Sequence, residues 1–113
     1  MRLHIIEDDL AVSDALALVL GELGYEVICY PDAESFLDAP LPSSDETVIV
    51  DLGLPGVGGD EIVRMLKART VPPRVIVISG RSQTSIRHTI ADMPALTVLR
   101  KPLSLPALTE HLS

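Results

Sequence analysis

Three apolar runs in this chain of 113 residues end in side chains suited to holding cations or phosphoryl groups. Ile5-Ile6 runs into Glu7-Asp8-Asp9, Val48-Ile49-Val50 into Asp51, and Val98-Leu99 into Arg100-Lys101-Pro102. In an open parallel sheet the carboxyl ends of neighbouring strands face one crevice, so these distant residues would share a site. An acidic pair, a further carboxylate and a lysine offer hard oxygen ligands to a divalent cation and a counter-charge to a phosphoryl group. Taken singly, an acidic triplet is usually a solvated helix cap, a Lys before Pro a surface residue, and a strand-end Ser a turn residue. Their shared placement after buried runs is what lifts them above that reading.

The segments needed to bring them together alternate between strand and helix patterns, the order that builds a parallel sheet covered on both faces. Leu3 to Ile6 reads as the first strand. From Leu10 to Leu23 the residues Val12, Leu16, Val19, Leu20 and Leu23 recur at helical spacing, with Asp8 or Asp9 to cap the start and Gly24 to end it. Glu26 to Cys29 forms a short second strand, and Asp32 opens a helix through Phe36 and Leu37 that stops before Pro40. Thr47 to Val50 is the third strand, Gly53 to Gly59 a loop, and Asp60 to Lys67 a helix with Ile62, Val63 and Leu66 inward. Arg74 to Ile78 is a β-branched run ending in Ser79-Gly80, and Ser82 to Asp92 reads as helix. Thr97 to Leu99 is the fifth strand, and Ser104 to Leu112 a last short helix, with Pro106 in its first turn.

Length and composition bound the possibilities. The chain reads as one domain over 1–113, with enough apolar residues for a real core and no internal repeat. A formal charge of −7 with no Lys/Arg cluster argues against binding nucleic acid or an anionic membrane by this segment itself. The single Cys29 excludes an internal disulfide and is expected to be a small core residue. No signal-like or membrane-spanning stretch is present, and the expected compartment is the cytoplasm. His4, His88 and His111 lack metal-ligand spacing and are expected to be structural.

Glu7-Asp8 after the first strand, Asp51-Leu52-Gly53-Leu54-Pro55 with Gly59 further on, Ser79-Gly80 and Lys101-Pro102 occur in an order that resembles the receiver domain of two-component response regulators. The resemblance runs over essentially the whole chain. Asp32-Ala33-Glu34-Ser35-Phe36-Leu37 is similar to the second helix of the nitrogen-fixation regulator branch. The resemblance implies a flavodoxin-like α/β fold, a doubly wound five-stranded parallel sheet in the order 2-1-3-4-5 with five helices. It implies a phosphoacceptor, not a turnover enzyme: Asp51 as nucleophile toward a phosphohistidine, Ser79 as hydrogen-bond donor to a phosphoryl oxygen, and Lys101 as the paired cation. Mg²⁺ is the implied cofactor, held by Asp8 and Asp51, by Glu7 through water, and by the backbone carbonyl of Gly53. The implied partner is a sensor histidine kinase or histidine phosphotransfer protein. Leu10, Asp14 and Leu18 on the first helix, with Pro102-Leu103, are the expected docking surface. Output would follow from a change in the face of the fourth and fifth helices, through homodimerisation or a transcriptional output domain.

The departures from that pattern carry expectations of their own. The Tyr or Phe usual three residues before the lysine is Val98, so the common aromatic readout is missing. Asp92-Met93-Pro94-Ala95-Leu96 replaces the small-residue turn before the fifth strand; the fourth helix is expected to end early and Met93 and Leu96 to lie exposed as contacts. Gly53 leaves a phosphoryl group on Asp51 open to water, whereas Arg81 is long enough to cover it. Rival readings are a phosphohydrolase, disfavoured because Gly53 stands where a second Asp would act as general acid, and a nucleotide binder, disfavoured by the absence of a Gly-rich turn after the first strand. A pseudo-receiver that binds protein without being phosphorylated is the remaining alternative, kept open by Val98.

Overall fold

Runs of Val and Ile without a polar face need cover on both sides, and here they form the middle of a parallel sheet. The computed structural model describes residues 1–93 and 96–112. Along the chain come β1 (Arg2–Ile6), α1 (Leu10–Glu22), β2 (Glu26–Tyr30), α2 (Ala33–Asp38), β3 (Thr47–Asp51), α3 (Gly59–Lys67), β4 (Arg74–Ser79), α4 (Gln83–Thr89), β5 (Thr97–Arg100) and α5 (Leu105–Leu112). The five strands run β2-β1-β3-β4-β5 with every pair parallel, the expected flavodoxin-like order. β3 is buried at every position and β4 at all but its first.

Register converts strand alternation into two apolar layers. Ile5 pairs with Ile49 and Ile49 with Ile76, and these three point toward Leu16 and Leu20 of α1 and Leu108 and Leu112 of α5. Their neighbours Ile6, Val50 and Val77 pair likewise and meet Phe36 of α2 and Ile62, Val63 and Leu66 of α3 on the other face. Helix starts are fixed by side-chain caps. The Asp9 carboxylate accepts from the N–H groups of Ala11 and Val12, Asp32 from Ser35 at 2.7 Å, and Ser82 Oγ from Ser85 at 3.2 Å. After α1 the chain turns through Gly24 at φ +99°, a conformation that costs a side-chain-bearing residue.

Four expectations from sequence are corrected. Leu23 is the C-cap of α1, and the turn there rotates it off the core face to 56% exposure. Cys29 is exposed, because β2 is an edge strand that α1 only partly covers; its Sγ reaches the rim of α1 at Ser13 O, 3.9 Å away. α4 ends at Thr89, so the span to Asp92 is corrected while the expected early end of this helix stands. Met93 and Leu96 are not exposed contacts but pack half-buried against the layer that holds Phe36. Arg64 of α3 accounts for much of this: it donates to the Thr89 carbonyl at 3.1 Å, to both carboxylate oxygens of Asp92 at 3.1 and 3.2 Å, and to Asp60 at 2.6 Å. It thereby satisfies a carbonyl at the end of α4 and draws the following chain inward. Pro94 and Ala95 lie outside the described residues.

One polar group sits deep in β1. His4 is 3% exposed. Its Nε2–H donates to Glu46 Oε1 at 2.5 Å and its Nδ1 accepts from the Tyr30 hydroxyl at 2.9 Å, so the ring joins β1, β2 and the start of β3. Ser43 Oγ donates to the other Glu46 oxygen at 2.9 Å. The hydrogen bond from His4 holds the Glu46 carboxyl below its ordinary value, against the effect of burial. A depressed carboxylate stabilises the fold above the unfolded value and loses that contribution as pH falls through the folded one. Glu46→Gln is therefore expected to cost about 1 kcal/mol at neutral pH. The difference from wild type should hold above pH 4.5 and shrink to nothing in more acidic solution, as read by urea melts across pH. A difference that stayed constant with pH would assign the effect to packing instead.

Candidate functional site

The register that layers the core also lines up the strand ends. Ile6 pairs with Val50, Asp51 with Ile78, and Ser79 with Arg100, so the chain leaves β1, β3, β4 and β5 along one carboxyl rim. Glu7 and Asp8 follow β1, Asp51 ends β3, Ser79 ends β4 and Lys101 follows β5. All five predicted side chains are thereby brought to one place. Glu7 and Ser79 are fully buried, Asp51 almost so, and Asp8 is exposed at the mouth.

Backbone groups fix the acids. The Glu7 N–H donates to the Tyr30 carbonyl at 3.1 Å, and the Gly53 N–H donates to Asp51 Oδ1 at 2.9 Å. Lys101 Nζ donates to Asp51 Oδ2 at 3.1 Å, so both oxygens of Asp51 are held. The same Nζ lies 2.5 Å from Glu7 Oε1, a close ion pair without hydrogen-bond geometry, which leaves that buried oxygen with no hydrogen bond. Carboxylate oxygens of Glu7, Asp8 and Asp51 all lie within 4.8 Å of one another. Ser79 Oγ accepts from the Arg81 N–H at 3.1 Å, leaving its own proton to donate, and the Ser79 carbonyl accepts from the Lys101 N–H at 2.8 Å. The Arg81 side chain is exposed beside it.

The charges settle unequally. Burial, and then the adjoining Asp51, pushes the Glu7 carboxyl from 4.5 up to about 7, with Lys101 pulling the other way. Burial works on Asp51 in the same direction, but hydrogen bonds from Glu7, the Gly53 N–H and Lys101 prevail and keep it below the ordinary carboxylate range. Burial also opposes the charge on Lys101, and the two carboxylates outweigh it. Of the two, Asp51 therefore holds its charge the more firmly and Glu7 is the one that takes up a proton first. An ionised, oriented carboxylate beside an ammonium and a buried hydroxyl can act as a nucleophile toward an electrophile that carries negative charge.

Two supports escaped the sequence reading. The Tyr30 carbonyl that anchors Glu7, and the Arg81 N–H that orients the Ser79 hydroxyl, are backbone groups with no residue-type signature. Gly53 was expected to offer its carbonyl to a metal, and the bond made here is through its N–H to Asp51. Away from the rim, Leu10 and Leu18 are each 65% exposed and Asp14 is exposed, as expected for the α1 stripe. Beside it an apolar cleft of about 400 Å³ lies between α1 and α5, reaching Lys101-Pro102-Leu103.

Residues 3–113 match the family described as the response regulator receiver domain. The chain belongs to that family. Among curated relatives, the receiver is 30% identical over 108 residues to the transcriptional regulatory protein FixJ of Bradyrhizobium diazoefficiens, covering 96% of this chain and 53% of that protein. It is 32% identical over 102 residues to FixJ of Azorhizobium caulinodans, covering 90% of this chain and 48% of the other. These matches agree with the nitrogen-fixation regulator branch read from the second helix. The solved structure of full-length FixJ from B. japonicum superposes with a TM-score of 0.82 at 29% identity, over 97% of this chain and 54% of that one. The BeF3-activated DrrB receiver domain gives 0.84 at 23% identity, over 98% and 92%, a likeness of fold. The receiver spans about half the length of the curated relatives it matches. No helix among the described residues is long and apolar enough to cross a membrane.

Gly59 opens α3 directly against the end of β3. A Cβ there would stand 2.1 Å from the Asp51 carbonyl oxygen and 3.0 Å from Leu52 Cα. Since both obstacles are backbone, Gly59→Ala is expected to destabilise the receiver by about 2–3 kcal/mol. Thermal and urea melts would report it; unchanged stability would mean that α3 can shift without disturbing the rim.

Proposed function

We propose that the receiver takes a phosphoryl group onto Asp51 from the phosphohistidine of a sensor histidine kinase or histidine phosphotransfer protein. The P–N bond to the donor imidazole breaks, a bond from an Asp51 carboxylate oxygen to phosphorus forms, and the product is an acyl phosphate. The observation that carries this reading is the buried Asp51 with both carboxylate oxygens held, and Lys101 and the Ser79 hydroxyl at the same rim. Lys101 counters the charge that accumulates as the anionic group approaches, and Ser79 has a proton to donate to a phosphoryl oxygen.

The donor set suits Mg²⁺. Glu7, Asp8 and Asp51 present only hard oxygens, and the buried Glu7 Oε1 lacks a hydrogen bond. These three carboxylates, with the Gly53 carbonyl, are the proposed ligands; bound there, the ion would neutralise the negative charge shared by the carboxylates and the incoming phosphoryl group. Gly53 supplies no second carboxylate to act as a general acid, so the domain works as a phosphoacceptor and not as a turnover enzyme.

Kinase docking is assigned to Leu10, Asp14 and Leu18 with the neighbouring Pro102-Leu103 cleft, where exposed apolar side chains border the rim. Phosphorylation would switch the α4–β5–α5 face toward dimerisation or an output partner. The FixJ relatives are transcriptional regulatory proteins of about twice this length, which supports transcriptional output through a further domain, with this domain making no nucleic-acid contact of its own. A cytoplasmic site of action goes with this reading. A pseudo-receiver remains the second reading, favoured only by Val98.

Incubation with acetyl phosphate and Mg²⁺ is expected to add one phosphoryl group to wild type by intact mass, and none to Asp51→Asn or in the presence of chelator. Failure with both acetyl phosphate and a kinase would favour the pseudo-receiver. The exposed Arg81 side chain, two residues past Ser79, is expected to shield the acyl phosphate from water. Arg81→Ala should therefore shorten its half-life several-fold in a dephosphorylation time course, and an unchanged rate would remove Arg81 from the mechanism.

A further inference from the structure

The loop between β3 and α3 has three glycines among its six residues 53–58, so its backbone has more conformations open to it than any other connection at the rim. Its two ends are held. The Gly53 N–H is bonded to Asp51 Oδ1, and the Gly58 carbonyl accepts from the N–H groups of Glu61 at 3.1 Å and Ile62 at 3.4 Å. Leu54 and Val57 turn apolar side chains toward the layer around Phe36. That contact fixes the depth of the loop, but dispersion forces are not directional and leave the tilt of its peptide planes free.

The tilt is fixed from another element. Glu34 Oε1 accepts from the Val57 N–H at 3.1 Å. Among the described residues this is the one hydrogen bond that reaches the loop between Gly53 and Gly58 from elsewhere in the chain. The neighbouring Gly56 lies at φ +71°, and a Cβ there would stand 3.3 Å from Glu34 Oε1 and 3.6 Å from Oε2, so the whole carboxylate rests on this turn. Its base is firm: Glu34 sits in the first turn of α2, which buries Ala33 and Phe36 and is capped by Asp32. An exposed acid in a first turn ordinarily does no more than favour its own helix dipole. Glu34 instead spans to a second element, and it stands outside the trio of carboxylates at the rim.

We propose that Glu34 is a positioning residue for the metal site, acting through the loop: by holding the Val57 N–H it sets the orientation in which the Gly53 carbonyl is presented to Mg²⁺. The inference rests on the ligand set of the proposed function and deepens it. Mg²⁺ demands near-ideal octahedral geometry, so a ligand carried on a glycine-rich loop is useful only in the fraction of molecules that present it correctly. The latch raises that fraction before the ion arrives. It works as an acceptor of one hydrogen bond and not as a charge, which separates it from Glu7, Asp8 and Asp51.

The test compares Glu34→Ala, which removes the acceptor, with Glu34→Gln, which keeps a side-chain carbonyl and removes the charge. Two quantities are read on the full chain without any phosphoryl donor: amide hydrogen exchange at Val57 in metal-free protein, and affinity for Mg²⁺ alone from backbone amide shifts at Asp51 and Gly53. Glu34→Ala is expected to exchange Val57 several-fold faster and to bind Mg²⁺ at least about threefold more weakly, and Glu34→Gln to stay within about a factor of two of wild type in both. The Mg²⁺ concentration that half-saturates phosphoryl uptake from acetyl phosphate should rise in Glu34→Ala by the same factor as the dissociation constant. Unchanged Val57 exchange in Glu34→Ala would overturn the proposal, as would weak Mg²⁺ binding by Glu34→Gln with Val57 still protected, which would make the carboxylate a long-range charge. Wild type that takes up no Mg²⁺ would sink the metal site and the latch with it. Wild type that binds Mg²⁺ no better than Glu34→Ala would sink the latch alone.

Discussion

Two carboxylates buried side by side cannot both be charged unless a cation stands between them, and the position of Lys101 answers that constraint. Its Nζ touches both Glu7 and Asp51, which fixes where the end of β5 must lie. The Lys101 N–H is tied to the Ser79 carbonyl, so the end of β4 is drawn into the same arrangement. The rim is thus one electrostatic unit contributed by four strands. The parallel sheet beneath it, buried on both faces, supplies the stiffness that holds those strand ends in register.

Much of this was legible in the sequence because it depends on residue type and period. The Val and Ile runs announced β3 and β4, the spacing of Leu16 and Leu20 the inner face of α1, and Asp32 and Ser82 the starts of α2 and α4. Glu7, Asp8, Asp51, Ser79 and Lys101 were readable because each follows such a run, so that a correct strand order alone gathers them. What resisted was whatever depends on neighbours distant in sequence. Cys29 has a core residue's chemistry but lies on an edge strand, and Leu23 keeps the period of α1 but falls on its terminating turn. Met93 and Leu96 looked exposed because nothing local reveals that Arg64 draws that segment inward. The Tyr30 carbonyl and the Arg81 N–H belong to the backbone and leave no mark on composition.

Neighbouring residues of β5 and the position just past it face different surroundings. Lys101, just past its last residue, belongs to the chemistry at Asp51, whereas Val98 and Arg100 face a groove beside α4. A single step along the chain separates Lys101, whose charge is paired within the molecule, from Arg100, which is exposed at the surface. Arg64 bounds the same region from the other side, holding the last carbonyl of α4 and the carboxylate of Asp92 against α3. α4 is consequently short and pinned at its C-terminal end, while its N-terminal end, capped by Ser82, adjoins the rim.

The dependence of Glu7 and Asp51 on Lys101 has a consequence for the order in which the protein is made. Synthesis delivers β1 and β3 early and β5 late, so the emerging polypeptide holds its acids for about fifty residues before their cation exists. Until then the sheet can close only with a proton retained on one carboxylate or with the strand ends apart. Arrival of the last strand therefore both completes the sheet edge and brings the two acids their counter-charge.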